Sequence, residues 1–268
     1  MLISYLKSII YGIVQGITEF LPVSSSGHLV LLHRFVPFNF DNELAFDVFL
    51  HLATIIAVVF YFRQEIYQLI KSWLVSFSGK SDKYSKLAWL IILATIPAGV
   101  VGYLFDEFIE NTFRSTLIVV YMLAVVALLF FIGEKFSVKK NSIYDLSWVA
   151  VLAIGISQVL AFIPGVSRSG ITIIAGLAIG LKRKSAASFS FLLSVPIILG
   201  ASAKKIPSLS DINILSNDFL LLLVAFFSAL IFGFFSIKYF LKYLEKRSLN
   251  VFAWYRIVLA IIVWLLIF

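Results

Sequence analysis

The chain has 268 residues, of which 61% are hydrophobic and only 13% charged, with a mean hydropathy of +1.03. No soluble domain of this length has enough interior to hide that much apolar surface, so the bilayer has to act as solvent and a soluble enzyme is excluded. The formal charge of +8 lies between apolar segments and not along one face, which points to basic cytoplasmic loops and away from nucleic acid.

There is no cysteine, which removes disulfides, a thiol nucleophile and thiolate metal ligands. The apolar segments run nearly end to end without a Pro/Gly/Ser-rich linker. Residues 1–268 are therefore read as a single polytopic membrane domain. Met1 to Phe20 carries Glu19 and lacks a small-residue cleavage site, so it is not read as a cleaved signal.

The first stretch, 4–34, is apolar but interrupted by Pro22 and the serine run behind it. Gln15 and Glu19, at i and i+4, share one face of the first half-helix. A carboxylate at membrane depth is expensive: it faces a polar cavity or a cation, or it sits near the interface and snorkels. Ser24, Ser25, Ser26 and His28 follow. A serine three residues before a histidine on one turn suits a hydroxyl nucleophile with a nearby base, or a nest of N–H groups for phosphate. The plainer reading is a helix cap. His33, beside Arg34, reads as an ordinary loop residue. Asp47 and His51, again at i and i+4, are candidate supporting groups for the same cavity, with an interfacial Asp47 as the alternative.

Segments of roughly 43–62, 87–104, 115–133, 187–203, 219–239 and 251–268 each have about the ~20 residues a bilayer core needs. Trp and Tyr elsewhere read as interfacial belt residues, and the Phe as core and lipid-facing. The loop 63–86 holds Arg63, Lys71, Lys80, Lys83 and Lys86; 105–114 holds Asp106, Glu107 and Glu110 against Arg114; 134–145 holds Lys135, Lys139 and Lys140. The positive-inside rule then puts 63–86 and 134–145 in the cytoplasm.

The second interrupted stretch, 146–182, breaks at Pro164-Gly165 and gathers Ser167, Arg168, Ser169 and Thr172 in one short run. As a single crossing it would leave Lys182, Arg183 and Lys184 outside; as a re-entrant pair it keeps them inside. Arg168 offers a planar fork for bidentate phosphate contacts, with hydroxyls on both sides. A structural ion pair with Glu19 is the alternative, and the two are compatible.

The two interrupted stretches also match each other. Gly12 pairs with Gly155, Gln15 with Gln158, Pro22 with Pro164, and Ser24-Ser25-Ser26-Gly27 with Ser167-Arg168-Ser169-Gly170. The expected fold is all-α and integral to the membrane, with six full transmembrane helices plus two re-entrant helix pairs. It forms an inverted-topology repeat over approximately 1–133 and 146–268, with both termini external. Such repeats place a site at their interface near the midplane. Hydroxyls and an arginine favour an anionic oxygen ligand, phosphate above all, and the carboxylate fits a divalent cation bridging phosphates.

QGITEFLPVSSSGH (Gln15 to His28) and PGVSRSGIT (Pro164 to Thr172) resemble the two defining motifs of the undecaprenyl-diphosphate phosphatase family, also called the bacitracin-resistance protein family. The likeness extends through FDVFLHLATIIAVVFYF and ASFSFLLSVPIILGAS to essentially the whole chain. It implies a multi-pass plasma-membrane enzyme, its site open to the external or periplasmic face. The enzyme would hydrolyse C55 isoprenyl diphosphate to the monophosphate, recycle the lipid carrier for peptidoglycan and confer bacitracin resistance. It also implies a divalent cation, Mg²⁺ or Ca²⁺. The implied partners are the lipid-diphosphate substrate and membrane lipids, with room for a homodimer.

By motif position, Gln15 and Glu19 fill the (E/Q)xxxE pair and are the expected metal ligands. Gln15 stands where many relatives have Glu, which leaves Glu19 as the main carboxylate. Ser25 and His28 fill the nucleophile and base region, with Glu19 and Arg168 completing the catalytic set. Ser167, Arg168 and Thr172 fill the PGxSRSxxT site, and Ser24, Ser26 and Ser169 are further substrate-binding candidates. Whether Ser25, His28 or a water attacks stays open. The alternative is a transporter or flippase for the monophosphate, using the same site. A channel lacks support, since no ring of like charges or carbonyl-filter motif is visible.

Overall fold

A computed structural model describes residues 2–37, 43–113, 115–205 and 217–268. The described chain is helical: α1 (Leu2–Phe20), α2 (Ser25–Phe35), α3 (Glu43–Tyr61), α4 (Arg63–Ser76), α5 (Lys83–Phe113), α6 (Thr116–Phe136), α7 (Trp148–Val159), α8 (Arg168–Ala178), α9 (Arg183–Lys205), α10 (Asn217–Leu244) and α11 (Asn250–Ile267). Short 3₁₀ turns at Ile143–Asp145 and Leu160–Phe162 flank α7. Five segments are long and apolar enough to cross a membrane unaided: Lys83–Phe105, Thr116–Phe136, Arg183–Lys204, Asp218–Leu244 and Asn250–Ile267. A sixth candidate is the pair α3 and α4, bent by 82° at Phe62. Large apolar side chains such as Phe60, Ile231 and Leu265 stay exposed on the outer faces of these helices, as lipid-facing positions require. The chain is an all-helical, multi-pass membrane protein.

Three sequence expectations need correcting. The segment 63–86 is not a plain loop, because α4 fills its first half. Ile66, Leu69, Ile70, Trp73 and Leu74 recur at helical spacing on one face of an amphipathic helix, with Gln64, Gln68 and Lys71 on the other and Arg63 at its first residue. Similarly, 105–114 is not a loop, since α5 continues through it to Phe113; Arg114 and the side chains of Asp106 and Glu110 lie outside the described residues. His33 is not a loop residue. It sits in α2, where its Nε2 lies 3.0 Å from Asp47 Oδ1.

Two close helix crossings place the interrupted stretches. α1 lies along α10, and α7 along α5. Gly12 faces the backbone carbonyl of Ala225 so closely that any Cβ would collide, and Gly155 does the same to Ala94. Gly16, one turn on, meets Ala229 and Gly233. Small residues let membrane helices approach backbone to backbone, which compensates for the missing hydrophobic drive between helices in lipid. Pro97 and Pro196 sit inside α5 and α9 without ending them, as membrane helices tolerate.

The breaks share one local geometry. Ser24 has φ 75° and Ser167 φ 77°, a region rare for residues with a side chain. Each caps the helix that follows. Ser24 Oγ accepts from Gly27 N–H at 3.2 Å, and Ser167 Oγ accepts from Gly170 N–H at 3.1 Å. Strain of this kind amounts to roughly 1–3 kcal/mol and persists where surrounding structure over-determines it. The breaks also lock onto each other: Gly165 N–H donates to Ser24 Oγ at 3.2 Å.

Candidate active site

The two breaks bring the N-termini of α2 and α8 to one carboxylate. Glu19, in the last turn of α1, has a side chain only 4% exposed. Its Oε1 accepts from Arg168 Nη2 at 2.7 Å. Its Oε2 accepts from Ser25 Oγ at 2.7 Å and from Gln15 Nε2 at 3.0 Å. Since Ser25 opens α2 and Arg168 opens α8, both helix dipoles present their positive ends here, which favours negative charge. His51 of α3 joins the cluster. Its Nδ1 lies 2.9 Å from Gln15 Nε2 and 3.2 Å from Glu19 Oε2. With hydrogen on Nδ1 it donates to Glu19; with hydrogen on Nε2 it accepts from Gln15.

A carboxylate held this way does not snorkel, and the Glu19–Arg168 pair spans the two halves of the chain. Arg168 is further held by Nη1 donating to the Ser190 carbonyl at 2.9 Å. Thr172 supports that contact from behind: its hydroxyl donates to the Arg168 carbonyl and lies 2.7 Å from Ser190 Oγ. Phe20 meets Phe191 edge to face at 5.2 Å, beside Glu19 and Ser190, giving the cluster an apolar wall.

Two buried polar atoms in this cluster have no hydrogen-bond partner among the described residues: Arg168 Nε and Gln15 Oε1. Buried donors and acceptors are almost always paired, so a leftover guanidinium donor and a leftover amide oxygen in one cluster leave it chemically unsaturated. The donor side suits a phosphate oxygen and the oxygen side a hard cation.

The other predicted residues fall around this centre. Ser24 and Ser167 are caps, their hydroxyls 3.3 and 3.2 Å from Ser26 and Ser169 respectively. Ser169 also reaches the Leu21 carbonyl at 3.4 Å, a second link between the breaks. His28 does not bond to Ser25. It turns to the other flank of α2, with Nδ1 2.7 Å from the Ser24 carbonyl and Nε2 2.7 Å from the Tyr255 hydroxyl. Asp47 bonds to His33 outside the Glu19 cluster.

No group of three Asp, Glu or His side chains able to hold a metal occurs among the described residues. The donor set is one carboxylate, Glu19, with the free oxygen of Gln15. That fits a cation shared with substrate phosphates, the usual situation of Mg²⁺, and not a dedicated protein cage.

Sequence reasoning missed Arg256. It is fully buried in α11, and its guanidinium donates only to backbone carbonyls: Leu123, Pro22, Met122 and Val166, each at 3.2 Å, and Gly165. One side chain thereby ties together both breaks and α6. The signal was present, since an arginine inside an apolar span marks a functional position by default.

The fold and the site together define a helical membrane protein that gathers anion-binding groups at the meeting point of two broken helices. Comparison makes the family specific. The bacitracin resistance protein BacA family matches residues 8–262, and the chain belongs to it. It is 41% identical to the undecaprenyl-diphosphatase of Methanobrevibacter smithii, covering 97% of this chain and 96% of that one. Identity is 40% to the undecaprenyl-diphosphatase of Rubrobacter xylanophilus, over 98% of both. To undecaprenyl-diphosphatase 2 of Stutzerimonas stutzeri it is 43%, over 95% of both.

Proposed function

We propose that this protein is an undecaprenyl-diphosphate phosphatase, hydrolysing C55 isoprenyl diphosphate to the monophosphate and phosphate and so returning the lipid carrier to peptidoglycan synthesis. The family and the names of relatives matching end to end support the activity. The observation that carries the chemistry is Arg168. It is fixed by Glu19 and Ser190, yet its Nε has no partner within the described protein.

In this reading the terminal phosphate lies between the α2 and α8 N-termini. Arg168 clamps its oxygens and stabilises the charge that builds up in transfer. Ser25 Oγ attacks phosphorus, the P–O bond to the lipid monophosphate breaks, and the serine proton passes to Glu19. Glu19, already accepting from Arg168 and Gln15, is a weak base. Phosphoryl transfer demands little more, because its loose transition state relies on positioning and electrostatics. Glu19 hands that proton on to the departing lipid monophosphate; water then cleaves the phosphoserine, its hydroxyl staying on phosphorus and its proton returning Ser25 to the hydroxyl form. His28, one turn along α2, is the second proton-transfer group. A divalent cation, Mg²⁺ or Ca²⁺, would neutralise charge on the diphosphate when bound, held by Glu19 and Gln15 Oε1.

The finer architecture belongs to the same proposal: two re-entrant pairs, α1–α2 and α7–α8, in an inverted repeat with the site open to the external face. What supports it is the like geometry of Ser24 and Ser167 and the like seating of Gly12 and Gly155. The basic residues of α4 and of 182–184 agree with that orientation.

The test is phosphate release from a C55 or C15 isoprenyl diphosphate by purified protein in detergent. Release is expected with Mg²⁺ or Ca²⁺, none with EDTA, and almost none from Arg168→Ala. Well-folded wild-type protein that releases no phosphate under any cation would overturn the reading.

A further inference from the structure

α11 brings a second polar side chain to the breaks, next to Arg256. The sequence reading left Tyr255 among the interfacial belt residues, but the structure seats it on His28. The two rings are nearly parallel, 8° apart, with centroids 5.8 Å from each other, and the hydroxyl is 2.7 Å from Nε2. The other ring nitrogen, Nδ1, faces the Ser24 carbonyl at 2.7 Å. A carbonyl only accepts, so Nδ1 carries its hydrogen and Nε2 is the basic nitrogen. The Tyr255 hydroxyl donates to it.

The seating is rigid on both sides. Ser24, whose carbonyl orients Nδ1, is the strained cap bonded to Gly165. Tyr255 precedes Arg256, whose guanidinium is tied to Pro22, Gly165 and Val166. An ordinary belt tyrosine points its hydroxyl at headgroups and water; this one is held against an imidazole that is itself held.

We propose that Tyr255 is a positioning residue of the reaction, fixing the imidazole of His28, one turn of α2 beyond Ser25, with Nε2 as the acceptor. The inference rests on the phosphatase reading above and on His28 moving protons within it. While His28 is neutral the phenol donates to the single lone pair of Nε2. For Nε2 to take a proton from the reaction the hydroxyl first rotates about its C–O bond and frees that lone pair; the phenol oxygen then accepts from the new N–H, so the ring keeps its place through both states. No covalent bond to Tyr255 forms or breaks.

The test uses the full-length protein in detergent and the Tyr255→Phe variant, which keeps the ring and removes the hydroxyl. The expected result is a fall in kcat of at least roughly tenfold, a fraction of the ~10²–10⁴-fold that general acid–base catalysis supplies, with KM near the wild-type value. Nitrogen-15 NMR of the imidazoles, with His28→Gln assigning the signal, should show hydrogen on Nδ1 in the wild type. In Tyr255→Phe the Nε2 resonance should move to that of an unbonded lone pair. Tyr255→Leu, checked by thermal melting, should add no further loss in kcat if the hydroxyl is what matters. Wild-type kcat in Tyr255→Phe, or hydrogen found on Nε2, would overturn the proposal. Full activity in His28→Gln would instead remove His28 from the mechanism, and absent wild-type phosphate release would remove the phosphatase reading itself.

Discussion

Two buried carboxylates organise this molecule, and they differ in what they leave over. Glu134, near the end of α6, has a side chain 5% exposed and takes donors from every side. Arg183 approaches with Nε at 2.8 Å from Oε1 and Nη2 at 2.7 Å from Oε2. Lys139 Nζ lies 2.6 Å from Oε2, and Leu249 N–H donates to Oε1 at 2.8 Å. The cluster joins the ends of α6, α9 and α11, and none of its nitrogens or oxygens is among the buried unpartnered atoms. Glu19 is as deeply buried and as closely paired with an arginine, yet its cluster holds Arg168 Nε and Gln15 Oε1 without partners. An ion pair saturated by the protein is a staple. An ion pair with donors and acceptors left over is chemically open, which is why the proposed site is placed there.

The largest expected effects separate the two. Arg168→Ala should lower phosphate release by about 10³-fold or more, the scale at which an arginine stabilises a transferring phosphoryl group. Arg183→Ala should leave kcat of the folded fraction nearly unchanged. Arg183→Ala leaves Glu134 with Lys139 and the Leu249 N–H, so it costs less than stranding a buried charge and more nearly the about 1.5–3 kcal/mol of hydrogen bonds to a charged group. At about 2–4 °C per kcal/mol for a chain of this size, Arg183→Ala should lower the melting temperature by roughly 3–12 °C. Activity and melting curves measured on both variants check this together. Equal losses of kcat would erase the distinction between staple and site.

A smaller effect sharpens it from the metal side. Gln15→Glu adds a second carboxylate to the Glu19 cluster and should lower the half-saturating Mg²⁺ concentration for phosphate release by roughly tenfold, since hard cations are held by carboxylate count. The matching change at the staple, Lys135→Glu next to Glu134 in the last turn of α6, should leave cation dependence where it was. A titration of activity against Mg²⁺ for each variant decides it.

How much of this was legible in sequence varies with the kind of signal. Composition and apolar run length determine the helical membrane fold, because burial in lipid needs only the right average character over a span. The breaks were legible because Pro22 and Pro164-Gly165 each stand beside a cap serine, and Arg168 because an arginine among hydroxyls has few other uses in lipid. The meeting of Glu19 with Arg168, Ser25 and His51 was open only as one alternative, since 149 residues separate the pair. The divorce of His28 from Ser25 was invisible. Their spacing fits one helical turn, and only Tyr255, 227 residues away, decides which way the ring faces. Arg256 was hidden for the opposite reason, as its partners are backbone carbonyls and carbonyls leave no mark in a sequence. α4 was misread because its charges were counted before its periodicity.

The smallest effects belong to the caps, and they test why Glu19 is a site while Glu134 is not. Ser25 and Arg168 reach Glu19 only because α2 and α8 start where Ser24 and Ser167 make them start; no break of that kind leads into Glu134. Replacing an N-cap serine with alanine costs about 0.5–2 kcal/mol. Each variant loses a contact to a neighbouring hydroxyl, but of backbone donors Ser167→Ala frees one, the Gly170 N–H, whereas Ser24→Ala frees two, those of Gly27 and Gly165. The second of these crosses between the breaks, so Ser24→Ala should be the more destabilising by about 1 kcal/mol, the worth of one ordinary hydrogen bond. In both variants phosphate release should fall by more than the melting temperature alone accounts for, because a frayed first turn moves Ser25 or Arg168 off the carboxylate. Melting curves and kcat on the pair check it. If both caps lowered stability while kcat stayed at the wild-type value, the position of the helix starts would not be what makes the Glu19 cluster reactive.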